Sequence, residues 1–239
     1  MQAIVSATYP GLLENLTNFD YFNSRAILCP TIESVNQINE YMCSLLPSQL
    51  MEYYSCDTNC KTSQEVDGFE DLCTTEFLNT IICSGLPLHI LILKVGIPIM
   101  LLRNIDQSAG LCNGTRLRVK HLRKNVIEGL TLNGSNPNQK VLIHKMDMNP
   151  SDNSLPFRMK RWKFPITLSF AMTINKSQGL SLQNVGLYLS KPVFTHGQLY
   201  VALSRVTNIA GLKILIEDVA NGGKCTTTNV VYKEIFRNV

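Results

Sequence analysis

Two textures of hydrophobic spacing alternate along this chain. "RAILC", Arg25 to Cys29, is an unbroken apolar run that reads as a short buried strand, ended by Pro30. Ile32, Val35, Ile38, Met42, Leu45 and Leu46 then recur at helical spacing, with Thr31 set to cap that helix and Pro47 to stop it. Residues 48–84 are acidic and weakly periodic, which predicts an irregular stretch with one helix near 70–82. From Leu86 the period drops to two. "LILKVGIPIMLLRN" reads as strand, turn, strand, and "GTRLRVKHL" puts Leu117 and Val119 on one face against Arg116, Arg118 and Lys120 on the other. "NVIEGLTL" and "KVLIHKM" read as two more strands around the turn-rich "NGSNPNQ". Short strands this closely spaced predict a small barrel, with its basic residues displayed outside.

Beyond Phe164 the texture changes again. Ile166, Leu168, Phe170, Met172 and Ile174 alternate with small polar residues, predicting one strand that runs into "TINKSQG". "VGLYL" reads as a fully buried strand. "THGQLYVALSR" reads as a helix opened by a capping box of Thr195 and Gln198, and "LKILIED" as a last strand. Strands alternating with helices predict a parallel sheet covered on both faces. The strand at 25–29 belongs with it, so the barrel interrupts an α/β domain. The predicted segments are 1–85, 86–163 and 164–239.

Composition adds limits. With 239 residues, 45% hydrophobic and 17% charged, the chain is long enough for a sizeable core. The most apolar window, Leu86 to Leu102, is broken by Pro87, His89, Lys94, Gly96 and Pro98, which argues against a membrane partner and for a pair of buried strands. No basic start followed by an apolar core marks a secretory signal. Eight cysteines include no CxxC pair, which predicts reduced structural thiols. Charge is uneven: residues 116–163 hold eleven Lys or Arg and three acids, a net of +8, against +4 for the whole chain. Such a field suits a polyanion, or is a solvated basic face. Trp162, the only tryptophan, sits inside the cluster; it suits stacking on bases, and equally a place in the core.

The candidate chemistry lies at strand ends, where open α/β sheets bind ligands. Thr173, Lys176, Ser177 and Gln178 offer hydroxyl, ammonium and amide groups, and Gly179 lets a backbone approach closely. That set suits phosphate oxygens. Arg205, at the end of "YVAL", is a fixed positive charge of the kind phosphoryl transfer needs, or simply a partner for a helix C-terminus.

At these residues the chain resembles a known family. "FPITLSFAMTINKSQG" and "HGQLYVALSRV" look like the fifth and sixth motifs of the Pif-type DNA helicases, motifs that Helitron transposon helicases share. "RAILCPTIESVNQIN" resembles the fourth, and "LKVGIPIMLLRNIDQSAGLCNGTRLRV" the inserted barrel segment. The likeness runs from about Tyr9 to Ile216 in the family's order. It implies a RecA-like parallel sheet interrupted by an SH3-like β-barrel, the second RecA-like domain of an ATP-driven DNA helicase. On that reading Arg205 is the arginine finger, Lys176, Gln178 and Gly179 face the nucleotide, and Thr31, Thr173 and Asn175 lie near DNA. Arg116, Arg118, Lys120 and Trp162 would add DNA contacts from the barrel. Single-stranded DNA and a first RecA-like domain are the implied partners. Roles in telomere maintenance, repair, recombination and replication are implied too, in the nucleus or alternatively the mitochondrion.

Departures from the pattern are Ile32 where Asn is usual, Lys163 where Gln precedes "FP", and Leu180 where a polar residue follows "KSQG". The sequence contains no G-x-x-x-x-G-K-[ST]. ATP and Mg2+ are therefore expected only with a first RecA-like domain, and this chain alone is expected to lack ATPase activity. A non-catalytic module that binds single-stranded DNA, or a transposon-derived relic, is the alternative.

Overall fold

The computed structural model describes residues 1–16, 18–60, 74–83, 85–132, 137–150, 155, 157–217, 226–232 and 234. They fall into two units, Met1–Pro47 with Ser169–Val239, and Ser48–Leu168. The chain thus leaves the first unit at 47/48 and returns at 168/169, outside the expected 85/86 and 163/164. Strand pairing is the reason, since residues on both flanks of the expected insertion pair with strands inside it.

In the first unit, β1 (Arg25–Cys29), β12 (Ala171–Thr173), β13 (Asn184–Leu189) and β14 (Leu212–Ile216) form a sheet of order β12-β1-β13-β14, every neighbour parallel. Ala26, Ile27, Leu28 and Cys29 are all fully buried, so both faces of β1 are covered, as an unbroken apolar run requires. Burial pushes the Cys29 thiol up to about 12, which makes it inert. Helix α1 (Gln2–Thr8) packs on β13 where Gly186 leaves it room. A Cβ at Gly186 would stand 2.2 Å from Thr8 Oγ1. Helix α3 (Ile32–Ser44) packs on β1 and β12 through Val35, Ile38 and Met42. Thr31 caps it as expected, its hydroxyl accepting from Ser34 N. The short helix α2 (Phe19–Asn23) carries Tyr21 and Phe22, which pack edge-on in a cluster with Tyr9 and Phe170.

Two expectations in this unit are corrected. The alternating stretch from Phe164 to Ile174 is not one strand. It breaks at Ser169 and Phe170 into a piece that pairs in the second unit and β12, which pairs with β1. Alternation reports one buried face per residue; it does not say which sheet supplies the cover. The capping box at Thr195 is also absent. Gly197 sits at φ +72°, a conformation no helix continues through, so α5 begins only at Gln198 and ends at Leu203. The Gln198 side chain does reach back, but its Oε1 accepts from Phe194 N.

Among the described residues, the strands of the second unit, the inserted segment, pair only in antiparallel ladders. β5 (Pro98–Leu101), β6 (Arg116–Leu122), β7 (Val126–Thr131), β8 (Lys140–His144) and β11 (Ile166–Leu168) run in the order β11-β5-β6-β7-β8. β2 (Leu50–Tyr54) pairs with β4 (Ile90–Lys94), and β10 (Met159–Lys163) lies between β3 (Cys56–Asn59) and β9 (Met146–Met148). The expected strands of 86–102 are therefore present but pair with other partners, not with each other. The stretch 48–84, expected to be irregular apart from one helix near 70–82, supplies β2 and β3 as well as that helix, α4 (Thr75–Thr80). Residues 70–73 of the expected helix and 133–136 of the expected turn lie outside the described residues.

β3 was illegible because its inward residue is a carboxylate. Asp57 meets Arg161 in a fully buried ion pair, Nη2 to Oδ2 at 2.6 Å and Nε to Oδ1 at 2.9 Å. The same guanidinium donates to the carbonyls of Leu78, Ile81 and Pro87, so every one of its nitrogens is used. One side chain thereby joins β3, β10, α4 and the chain entering β4. Removing one partner leaves a buried charge uncompensated, at a cost of about 3–5 kcal/mol. Asp57→Ala is expected to lower the unfolding free energy obtained from urea titration by about that much. Asp57→Leu combined with Arg161→Met is expected to cost less than the single change.

Candidate functional site

The parallel sheet brings polar groups together at its carboxyl edge. Cys29 and Thr173 are paired at the ends of β1 and β12. Thr31 follows β1, and Ser190 follows β13. Thr31 Oγ1 lies 3.2 Å from Ser34 Oγ, which lies 2.6 Å from Ser190 Oγ. Three hydroxyls thus line one edge beside the half-exposed Thr173. Sequence reading found Thr31 and Thr173 but missed Ser34 and Ser190. The rule that ligands bind beyond strand ends could have found Ser190, the first polar residue after "VGLYL".

From Thr173 the chain does not stay at that edge. Ile174–Ser177 forms one 3-10 turn, fixed by Ser177 Oγ donating to Ile174 O at 2.6 Å. Asn175 and Gln178 are exposed, Lys176 is half-buried, and Gly179 stands exposed at φ +81°, where a Cβ would be strained. The chain then runs back to the opposite edge, where Gln183 N donates to Ser24 O just ahead of β1. Leu182 bridges Val206 there, and its N–H donates to Arg205 O. Arg205 was expected at the same edge as Thr173. It lies instead by the start of β13, because the helix α5 that carries it descends along the same path. Its Nε donates to Val201 O at 3.0 Å, Nη1 to Leu180 O at 3.2 Å and Nη2 to Ser204 Oγ at 2.9 Å. The segment 173–182 therefore has Thr31 and Ser190 at one end and Arg205 at the other.

A missed residue holds the start of this segment. Asn39 of α3, almost fully buried, donates to Ala171 O at 3.1 Å and accepts from Ala171 N at 2.8 Å. Tyr9 also donates to Phe170 O at 2.7 Å. Strand β12 is thus pinned from two sides before it delivers Thr173.

The basic segment of the second unit is only partly a surface. Arg116, Arg161 and Lys163 are fully buried, against the expectation that the barrel's basic residues all point outward. Arg161 and Lys163 answer internal carboxylate and carbonyl acceptors that periodicity cannot show. Lys120, Arg123, Lys124, Lys140 and Arg158 are exposed, and Arg118 is half-buried. Lys120 and Lys140 both approach Glu128, at 3.6 and 3.3 Å. Trp162 is 45% exposed, so its ring is not a core residue. Among the described residues no three His, Cys, Asp or Glu side chains gather as a metal site, and the six described cysteines are thiols, not disulfides.

Known DNA helicases resemble this chain over most of its length. A family model described as the 2B domain of the DNA helicase Pif1 matches residues 76–122, and a model described as a helicase matches 144–230. The ATP-dependent DNA helicase PIF1 of Homo sapiens is 29% identical over 194 residues, covering 79% of this chain and 26% of that protein. PIF1 of Xenopus laevis is 33% identical over 133 residues, covering 52% and 19%. Among solved structures, Pif1 from Bacteroides in complex with ADP-AlF3 and ssDNA superposes with a TM-score of 0.61 at 21% identity, over 95% of this chain and 52% of that one. Pif1 from Candida albicans gives 0.59 at 22%, over 91% and 54%. The chain spans about a quarter of the length of the human relative.

Lys163 gives this region a pH signature. Its Nζ donates to the carbonyls of Leu88 and His89 inside the second unit. Burial, with Arg161 and Lys145 adding repulsion against the pull of Asp57, lowers it to about 7. An unfolded lysine holds its proton to about 10.4. Above pH 7 the folded state therefore binds fewer protons than the unfolded one, and stability rises with pH. Below pH 7 both states are protonated and the burial penalty is constant. Cys29 works the other way once an unfolded thiol ionises, above about 8.5. The expected outcome is a melting temperature that climbs between pH 7 and 8.5 relative to Lys163→Gln, with the two curves parallel below pH 6.5.

Proposed function

We propose that this chain, similar to the Pif1-type DNA helicases, corresponds to their second RecA-like domain with its inserted barrel and serves an ATP-dependent machine that moves on single-stranded DNA. What supports this above all is the path of residues 173–182. It begins at a hydroxyl-lined edge suited to a DNA backbone and ends against a guanidinium suited to a phosphate. A change at one end can pull on the other through ten residues of chain. Arg205 uses one hydrogen on Nε, one on Nη1 and one on Nη2 for contacts within its own unit. A guanidinium carries five N–H groups, so one on each Nη is left over, the fork a γ-phosphate would take.

Lys176, Gln178, the Gly179 backbone and Arg205 are all donors, which fits the outer phosphate of ATP. No carboxylate stands among them to hold Mg2+, and the sequence has no P-loop to cradle the inner phosphates. A first RecA-like domain would supply both. Roles in telomere maintenance, repair and recombination, and a nuclear or mitochondrial location, belong to this proposal. A second reading, a DNA-binding module without catalysis, is favoured by the missing P-loop.

The chain alone is expected to show no DNA-stimulated ATP turnover. When it is joined to a relative's first RecA-like domain and activity returns, Arg205→Ala should lower kcat by roughly 10³-fold or more and leave DNA affinity nearly unchanged. Arg205→Lys should not restore it, because an ammonium lacks the planar fork. A normal kcat for the alanine variant would end the arginine-finger assignment.

Binding of an oligo(dT) strand to the chain alone should weaken with salt, by a slope of about −0.7 for each phosphate neutralised. Reversing Lys120, Arg123 and Lys124 together should flatten that slope without unfolding the barrel, since all three are exposed. An unchanged slope makes them a solubility face.

A further inference from the structure

Trp162 is the chain's only tryptophan, and it stands on β10 with nearly half its surface exposed. The strand alternates strictly. Met159, Arg161 and Lys163 point inward and are buried, while Lys160 and Trp162 point outward. Backbone pairing continues one residue further, where Cys60 N donates to Arg158 O at 2.8 Å, and Arg158 is exposed. Arg158, Lys160 and Trp162 thus follow one another at every second residue, about 6.6 Å apart along one face.

Their surroundings on that face are sparse. Trp162 is opposite Cys56 on β3 and Asp147 on β9, both exposed, and Lys160 is opposite Thr58. Lys160 Nζ lies 3.1 Å from Asp147 Oδ2. One large ring among a thiol, a hydroxyl and three charges is too little apolar area for a protein partner. It is the combination that a nucleobase and its phosphates use: a flat aromatic surface with cations a short reach away. The support behind it is stiff. Arg161, immediately before Trp162, is locked to Asp57 and three carbonyls, so the strand cannot yield when a base is laid on the ring.

We propose that the outward face of β3-β10-β9 is a stacking platform for single-stranded nucleic acid. One unpaired base lies on the Trp162 indole, and Lys160 and Arg158 meet the phosphates that flank it. Asp147 holds Lys160 while the platform is empty and repels a phosphate when it is filled. This rests on the reading that the chain binds single-stranded DNA, and adds a base contact on the second unit to the Thr31 and Thr173 edge of the first.

The test uses the full chain and fluorescein-labelled oligo(dT), read by anisotropy and by tryptophan fluorescence together. Since Trp162 is the only tryptophan, quenching reports that site alone. The expected result is quenching whose midpoint matches the anisotropy midpoint. Trp162→Ala should weaken binding about 5- to 100-fold at an unchanged salt slope and melting temperature. Trp162→Phe should recover most of the loss, and Asp147→Asn should tighten binding a few-fold. An abasic strand of equal length should bind without quenching. Anisotropy that reports binding while the fluorescence is unchanged and Trp162→Ala binds normally overturns the platform and leaves the DNA-binding reading intact. Quenching by the abasic strand also overturns it. No anisotropy change with any strand overturns both.

Discussion

The insertion depends on a single buried pair. Asp57 and Arg161 are separated by more than a hundred residues of sequence, yet they meet with no exposure to solvent. Each nitrogen of the sealed Arg161 finds an acceptor, and the acceptors come from four residues, Asp57, Leu78, Ile81 and Pro87. The pair therefore acts as a registration device. Strands β3 and β10 can be paired in only one register that sets Asp57 opposite Arg161, and α4 must end where its carbonyls can be reached. The outward residues of β10 inherit their positions from that inward contact.

The first unit solves a different problem. Its central strands β1 and β13 are buried on both faces, so the polar groups beside them gather at the strand ends. Thr31, Ser34 and Ser190 gather at one edge, while Arg205 is tied to Leu180 near the other. The segment between them is short and polar, and it is internally fixed by Ser177. The distance between the two edges is set by strand length, about 16–20 Å for strands of five or six residues.

What the sequence made legible follows from these same constraints. β1 and β13 were readable because burial on both faces leaves an unbroken apolar run, "RAILC" and "VGLYL". The motif residues were readable because polar groups at strand ends stand out against such runs. β3 was not readable, because "CDTN" buries an aspartate whose partner lies far along the chain. Arg161 and Lys163 were misplaced outward for the same reason: alternation gives a side chain's face but not the acceptors waiting there. The break between β11 and β12 was hidden because both halves keep one phase of alternation while pairing with different sheets. Gly197 was the overlooked signal for where α5 starts.

The Asn39 contact has a meaning for life at high concentration. β12 is the outer strand of its sheet, and the N–H and C=O of Ala171 face away from β1. Left open, that edge would offer another molecule a place to add a strand. The carboxamide of Asn39 offers one donor and one acceptor at the spacing of a peptide group, so it imitates the neighbour the sheet lacks. A side chain borrowed from the helix above keeps this edge from recruiting copies of itself, and guards the protein against self-association at the strand that carries its motif residues.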